Sequence, residues 1–266
     1  MPTPRVLLLR APGTNCDAET AFAFESVGAS VASVHVNRLI EEPTLGQGYQ
    51  ILCFPGGFSY GDDIAAGRIL AQRLRVHLKD LVEEFQNKDR LILGICNGFQ
   101  VMMRLGIFFP VAEYPDSQVQ PPATLALNHQ GRFEDRWVHL VNANSNSVFL
   151  TDVEHMYLPM AHAEGRFVMR DAASRSKLLA ARQLGLRYTD SAGGVSDEPL
   201  SFPDNPNGAE LNVAGISDPS GRVFGLMPHP ERHIDPTQHP FWTRRTEQPE
   251  FGEGRAIFAN AVTYFG

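Results

Sequence analysis

The sequence predicts a doubly wound α/β fold, and three observations carry that prediction. Short runs that are apolar throughout alternate with amphipathic helical stretches, and the runs end in turns bearing glycine or proline. Beyond Pro121-Pro122 the pattern changes to strands that alternate apolar with polar residues. Parallel strands need helical crossovers and, covered on both faces, stay apolar along their length; antiparallel strands with one wet face alternate.

Arg5 to Ala11 is the first such run, closed by Pro12-Gly13-Thr14-Asn15, and Asp17 heads a helix that continues to Val27 before Gly28 stops it. Ser30 to Val36 and Gln50 to Phe54 follow as strands, the latter ending in Pro55-Gly56-Gly57. From Asp62 to Phe85 the apolar positions Ile64, Ile69, Leu70, Leu74, Leu78, Leu81, Val82 and Phe85 fall mostly three or four apart, which predicts one long amphipathic helix. Leu91 to Cys96 is another buried strand, and Gly98 to Leu105 a helix. In the second half Leu125–Val141, Tyr157–Met169, Gly185–Tyr188 and Asn212–Met227 read as antiparallel strands extending the same sheet. Asp218-Pro219-Ser220-Gly221 forms a hairpin turn, and helices are expected near Asp171–Leu184 and Gly254–Phe265. Residues 232–253, rich in His, Pro and Arg without periodicity, are expected to form an irregular surface extension of a single domain spanning 1–266.

Composition excludes several classes. With 266 residues and a net charge of −7, the chain is long enough to bury a full core without disulfides or metal, and it lacks the clustered Lys and Arg that a nucleic-acid backbone rewards. No apolar stretch approaches the ~18 residues of a membrane helix, and Arg10 interrupts Val6-Leu7-Leu8-Leu9 too early for a signal-peptide core, so a cytoplasmic location is expected. The three cysteines, Cys16, Cys53 and Cys96, match no CxxC pattern and cannot all pair. No phosphate-binding GxxxxGK[ST] loop occurs, and no GxGxxG follows a strand, so nucleotide-dependent chemistry is assigned to another chain.

One cysteine has the setting of a nucleophile. Gly94-Ile95-Cys96-Asn97-Gly98 stands between a buried strand and a helix in the form GxCxG. A tight strand-to-helix turn leaves no room for Cβ atoms beside the nucleophile, and the helix N-terminus favours negative charge on sulfur. Cys53 sits mid-strand and reads as packing; Cys16 precedes a helix without flanking glycines and reads as structural. A thiolate nucleophile needs a base and a group that orients the base, and Pro228-His229-Pro230-Glu231 supplies both. Two prolines are expected to keep this segment extended, so that His229 and Glu231, two apart, project to one side. Gly56 and Gly57 at a strand end, together with the N–H of Asn97, are candidate oxyanion donors.

Gly94–Gln100, Pro55–Asp62 and Gly225–Arg232 resemble, in the right chain order, the signatures of class I glutamine amidotransferases. Within these the chain is most similar to the glutaminase subunits of phosphoribosylformylglycinamidine synthases of purine biosynthesis. Arg10–Cys16, Gly131–Trp137 and Ala161–Phe167 extend that likeness over about residues 5–232. The resemblance implies a three-layer, flavodoxin-like, mostly parallel sheet with an antiparallel extension. It also implies a glutaminase in which Cys96 attacks the side-chain amide of L-glutamine, His229 serves as acid and base, and Glu231 orients His229. Gly57 and Asn97 map onto the oxyanion positions, Gln100 onto a residue facing bound glutamine, and His162 and Glu164 onto a motif near the site. It implies no cofactor or metal in this chain. Ammonia would pass to a formylglycinamide ribonucleotide synthetase subunit carrying ATP and Mg, with a small accessory subunit as an optional third component. Asn128-His129-Gln130 stands where similar chains carry an Asn-Thr-Ser type segment, and the tail after Arg232 is longer than in compact versions. A stand-alone γ-glutamyl hydrolase of the same fold and an inactive scaffolding subunit are the competing readings.

Overall fold

Four of the predicted runs lie side by side and in parallel at one end of a single sheet. In the computed structural model, which describes residues 3–109, 121–246 and 249–266, the strands are β1 (Arg5–Arg10), β2 (Ser30–His35), β3 (Ile51–Phe54), β4 (Leu91–Ile95), β5 (Ala123–Leu127), β6 (Glu134–Asn142), β7 (His155–His162), β8 (Glu164–Met169), β9 (Leu186–Thr189), β10 (Val213–Ser217) and β11 (Val223–Leu226). The helices are α1 (Asp17–Glu25), α2 (Val36–Glu41), α3 (Arg68–His77), α4 (Lys79–Asn87), α5 (Asn97–Leu105), α6 (Ala172–Ala180) and α7 (Arg255–Thr263).

Nine strands form the main sheet in the order β2-β1-β3-β4-β11-β10-β9-β6-β7. The first five are mutually parallel, and β11, β10, β9, β6 and β7 continue antiparallel. Every residue of β3, β4 and β11 is buried, as expected of strands covered on both faces. The helices cover the sheet in two groups, α1 packing against α7 and α3 against α4 and α5. Phe24 meets Phe258 edge-to-face at 4.9 Å in the first group. No helix among the described residues is long and apolar enough to cross a membrane.

Three sequence expectations are corrected. The helix predicted over Asp62–Phe85 is two helices, α3 and α4, broken at Leu78 (φ −132°, ψ 22°). Leu78 is itself buried, so the apolar period runs through the break without a Gly or Pro to mark it. The strands within Leu125–Val141 and Tyr157–Met169 do not all extend the main sheet: β5 and β8 form a separate antiparallel ribbon, Leu125 opposite Phe167. The chain leaves the sheet after His162, where Glu164 is held 2.7 Å from Arg104 on α5. Finally, β11 pairs parallel with β4, Gly94 opposite Gly225, and so belongs to the parallel half.

Parallel strands present their C-terminal ends along one edge, where doubly wound folds bind their ligands. Adjacent β1, β3, β4 and β11 therefore deliver to one place the turn before Cys16, Gly56-Gly57, Cys96, and Pro228 to Glu231.

Candidate active site

Cys96 sits at a strained turn. Its backbone has φ 49° and ψ −105°, a conformation that costs a non-glycine residue of order 1–3 kcal/mol and that persists only where the surroundings impose it. Here they do: its N–H donates to the Leu226 carbonyl at 2.8 Å, and its own carbonyl accepts from the Gln100 N–H at 3.0 Å. A Cβ on Gly98 would run into the Phe54 carbonyl, and one on Gly94 into the Met102 sulfur, which explains both glycines of the motif. The Cys96 thiol lies 3.7 Å from the Ala161 carbonyl oxygen. It opens on a cavity of about 210 Å³ whose walls include Gly57, Gln100, His162 and Glu164.

His229 and Glu231 come together by a different route from the one expected. Pro230 opens a single 3₁₀ turn over Pro230–Arg232, where the fixed φ of proline suits the first helical position, so the segment is a tight turn and not an extended one. The Glu231 Oε1 still lies 2.6 Å from His229 Nδ1, with both side chains buried. The His229 N–H donates to the Pro159 carbonyl at 2.7 Å, fixing the backbone beneath the ring. Burial alone would push the imidazole down, but the Glu231 carboxylate, the Cys96 sulfur and a hydrogen bond to the Cys16 sulfur together lift it well above the ordinary histidine value. With Nδ1–H donated to Glu231, Nε2 is the nitrogen left to exchange a proton with a thiol.

Cys16 is at the site too, which its sequence setting did not reveal. It caps α1 with an ordinary backbone (φ −101°, ψ 15°), and its sulfur lies 4.0 Å from His229 Nδ1 and accepts from Arg232 Nη2 at 3.1 Å. Burial raises its thiol despite the opposing pull of His229 and Arg232. Gly56 is pressed between the two: a Cβ there would fall 2.9 Å from His229 Cε1 and 3.0 Å from the Cys16 sulfur. Cys53 is fully buried mid-strand, and burial pushes its thiol well above the usual range, as a packing role requires.

Gly57 has φ +139°, and a side chain there would collide with the Asn15 N–H and the Gly13 carbonyl. Its N–H and that of Asn97 donate to no carbonyl among the described residues. The Asn97 side chain is occupied otherwise: it accepts from the Ser59 N–H at 3.0 Å and donates to Asp62 Oδ1 and Gln100 Oε1, each at 2.9 Å. Gln100 in turn donates to the Glu164 carbonyl. The Glu164 carboxylate is consumed by Arg104 and by the Ala66 N–H at 3.2 Å, so its charge serves the frame of the cavity.

His162 is fully buried in the wall of the same cavity. The Asn128 amide nitrogen donates to the carbonyls of Arg132 (3.0 Å) and His162 (2.8 Å), so its oxygen must face His162 Nδ1, 3.1 Å away. Nδ1 therefore carries the proton, and Nε2 has no partner among the described residues. Burial, with the neighbouring His229 charge, pushes this imidazole down to about 3. Asn128, just before the residues 129–130 at which the sequence departs from similar chains, is thus a clamp on His162. Asp62, Asn128, Cys16 and Arg232 are the residues sequence reasoning did not assign; all four lie within or beside motifs it quoted.

The chain matches the CobB/CobQ-like glutamine amidotransferase domain over residues 3–265. It is 42% identical to the phosphoribosylformylglycinamidine synthase subunit PurQ of Dehalococcoides mccartyi, over 98% of this chain and 97% of that one. The PurQ subunit of Archaeoglobus fulgidus is 36% identical over 98% and 96% of the two chains. Among solved structures, PurLQS from Thermotoga maritima superposes with a TM-score of 0.71 at 28% identity, each chain covered in full.

Proposed function

The chain belongs to the CobB/CobQ-like glutamine amidotransferase family, and from that premise we propose that it is the glutaminase subunit of a phosphoribosylformylglycinamidine synthase, with Cys96, His229 and Glu231 as its catalytic triad. The observation that carries the assignment is the strained Cys96 elbow opening on a closed-in cavity, beside a His229 ring fixed by Glu231.

His229 Nε2 takes the thiol proton of Cys96, and the thiolate attacks the side-chain amide carbon of L-glutamine. The tetrahedral oxyanion is held by the free N–H groups of Gly57 and Asn97. The same proton, returned from His229 to the leaving nitrogen, releases ammonia and leaves a γ-glutamyl thioester on Cys96. Water, deprotonated by His229, then hydrolyses the thioester to glutamate. Gln100, tied to Asn97 and to the Glu164 backbone, sets the shape of the glutamine cavity, with Gly56 as a close floor to His229.

Ammonia set free in neutral water is protonated and loses its nucleophilicity, so its user must dock over this site. Phe58 and Leu127, both exposed, line the mouth of the cavity and give a partner an apolar rim to cover. That partner is the synthetase subunit, which carries ATP and Mg and amidates formylglycinamide ribonucleotide in the cytoplasm, with a small accessory subunit completing the assembly. The whole chain, including 232–253, works as one domain in this role. The test is glutamate release measured with and without the synthetase and its nucleotide substrates. Low release from the isolated chain and a large rise in the complex are expected; full activity alone, with no complex by sedimentation, would favour a stand-alone hydrolase.

A further inference from the structure

Cys16, His229 and Glu231 offer a thiol, an imidazole and a carboxylate whose ligand atoms lie within 4.8 Å of one another, all buried. They come from two separate chain segments, the turn after β1 and the turn after β11, brought together by the parallel sheet. Glu231 uses only Oε1 on His229; its Oε2 is buried with no hydrogen-bond partner among the described residues. A buried, unpaired carboxylate oxygen is an unfilled ligand position.

We propose that these three side chains form an inhibitory site for a thiophilic divalent cation of the zinc type, centred on Cys16 and distinct from the Cys96 nucleophile. Charge supports a divalent ion. A Cys16 thiolate and the Glu231 carboxylate together carry two negative charges, so one dication makes the buried cluster neutral, whereas a monovalent ion leaves an uncompensated charge. Sulfur, nitrogen and oxygen donors in a set of three, with water in the fourth position, are the ligand chemistry of zinc. On binding, the Cys16 thiol and His229 Nδ1 each give up the proton they carry, the ring stays neutral with its proton on Nε2, the metal–sulfur and metal–nitrogen bonds form, and no electron changes hands. The Arg232 guanidinium, 3.1 Å from this sulfur, stabilises the thiolate, and its own charge is met by Glu19 at 3.4 Å.

The consequence for activity rests on the glutaminase reading, because a metal on Nδ1 takes His229 from Glu231 and ends its service as a base; the binding itself does not depend on that reading. The test uses the full-length chain with Co²⁺ and Zn²⁺ as probes. Co²⁺ is expected to give a near-ultraviolet sulfur-to-cobalt band in the wild type and in Cys96→Ala, and none in Cys16→Ser. Competition against a chromophoric chelator should show Zn²⁺ bound once per chain and weakened about tenfold or more in Cys16→Ser. Glutamate release by Cys16→Ser should resist Zn²⁺ by a similar factor. A cobalt band lost in Cys96→Ala, or Zn²⁺ affinity unchanged in Cys16→Ser, would overturn the proposal. Because the band in Cys96→Ala is read on a chain with Cys16 intact, misfolding of the Cys16 variant cannot decide the outcome. Wild-type chain that binds Zn²⁺ at this site yet releases no glutamate even with the synthetase and its nucleotide substrates present would instead break the glutaminase reading alone.

Discussion

Two strand-to-helix turns of the parallel half each place a buried cysteine beside the same histidine, and they differ in what surrounds the sulfur. Cys16 caps α1 in a relaxed backbone, with Arg232 and Asn15 as partners at 3.1 and 3.3 Å. Cys96 caps α5 at φ 49°, held there by Leu226 and by the absence of side chains at 94 and 98, and it faces a cavity. Proximity to His229 is common to both. Both also stand at a helix N-terminus; strain and room for a substrate distinguish Cys96, and these are features that covalent catalysis uses.

The sharpest way to break this comparison is to remove each sulfur. Cys96→Ala should lower glutamate release by about 10⁴-fold or more, since no other group can carry the acyl intermediate, whereas Cys16→Ser should retain turnover. Comparable losses in both would mean that the two turns are not functionally distinct.

His229, shared by both thiols, is expected to matter nearly as much. His229→Ala should cost about 10⁴-fold in turnover, and Glu231→Gln one to two decades less, because Glu231 orients the ring and exchanges no proton. Steady-state kinetics on the two variants checks the ranking, and an equal or larger loss in Glu231→Gln would contradict it.

The smallest effect concerns His162, a third imidazole that the fold treats in the opposite way to His229. Its folded pKa of about 3 lies below the unfolded value, so the unfolded chain binds the extra proton first. The stability it contributes is complete above pH 6.5 and is lost as pH falls from there towards 3. Between pH 6.5 and 4 this amounts to about 3 kcal/mol, less whatever local opening relieves. Urea unfolding across that range should show a flatter pH dependence for His162→Gln than for the wild type; parallel curves would mean that His162 is not held neutral.

Much of this was legible in the sequence. Fully apolar runs located β1, β3 and β4 nearly to the residue, although β11 was read as antiparallel, and GxCxG between a strand and a helix located the elbow, because both signals arise from local sterics and burial. The break at Leu78 was hidden because the apolar period passes through it, and the β5–β8 ribbon because alternation persists while the chain changes sheets at Ala163. The pairing of His229 with Glu231 was anticipated, yet its 3₁₀ geometry was not, since Pro fits both an extended segment and the first position of a helical turn. Cys16 closes the Arg10–Cys16 stretch of the family likeness, but nothing local marked it as a neighbour of His229. Its place beside His229, 213 residues away in the chain, depends on β1 and β11 ending at the same sheet edge.

The account stands or falls on which sulfur attacks. Incubating the intact chain with a glutamine-analogue electrophile and mapping the modified peptide by mass spectrometry answers this directly. A single adduct on Cys96, suppressed by excess L-glutamine, is predicted; an adduct on Cys16 with Cys96 unmodified would contradict it.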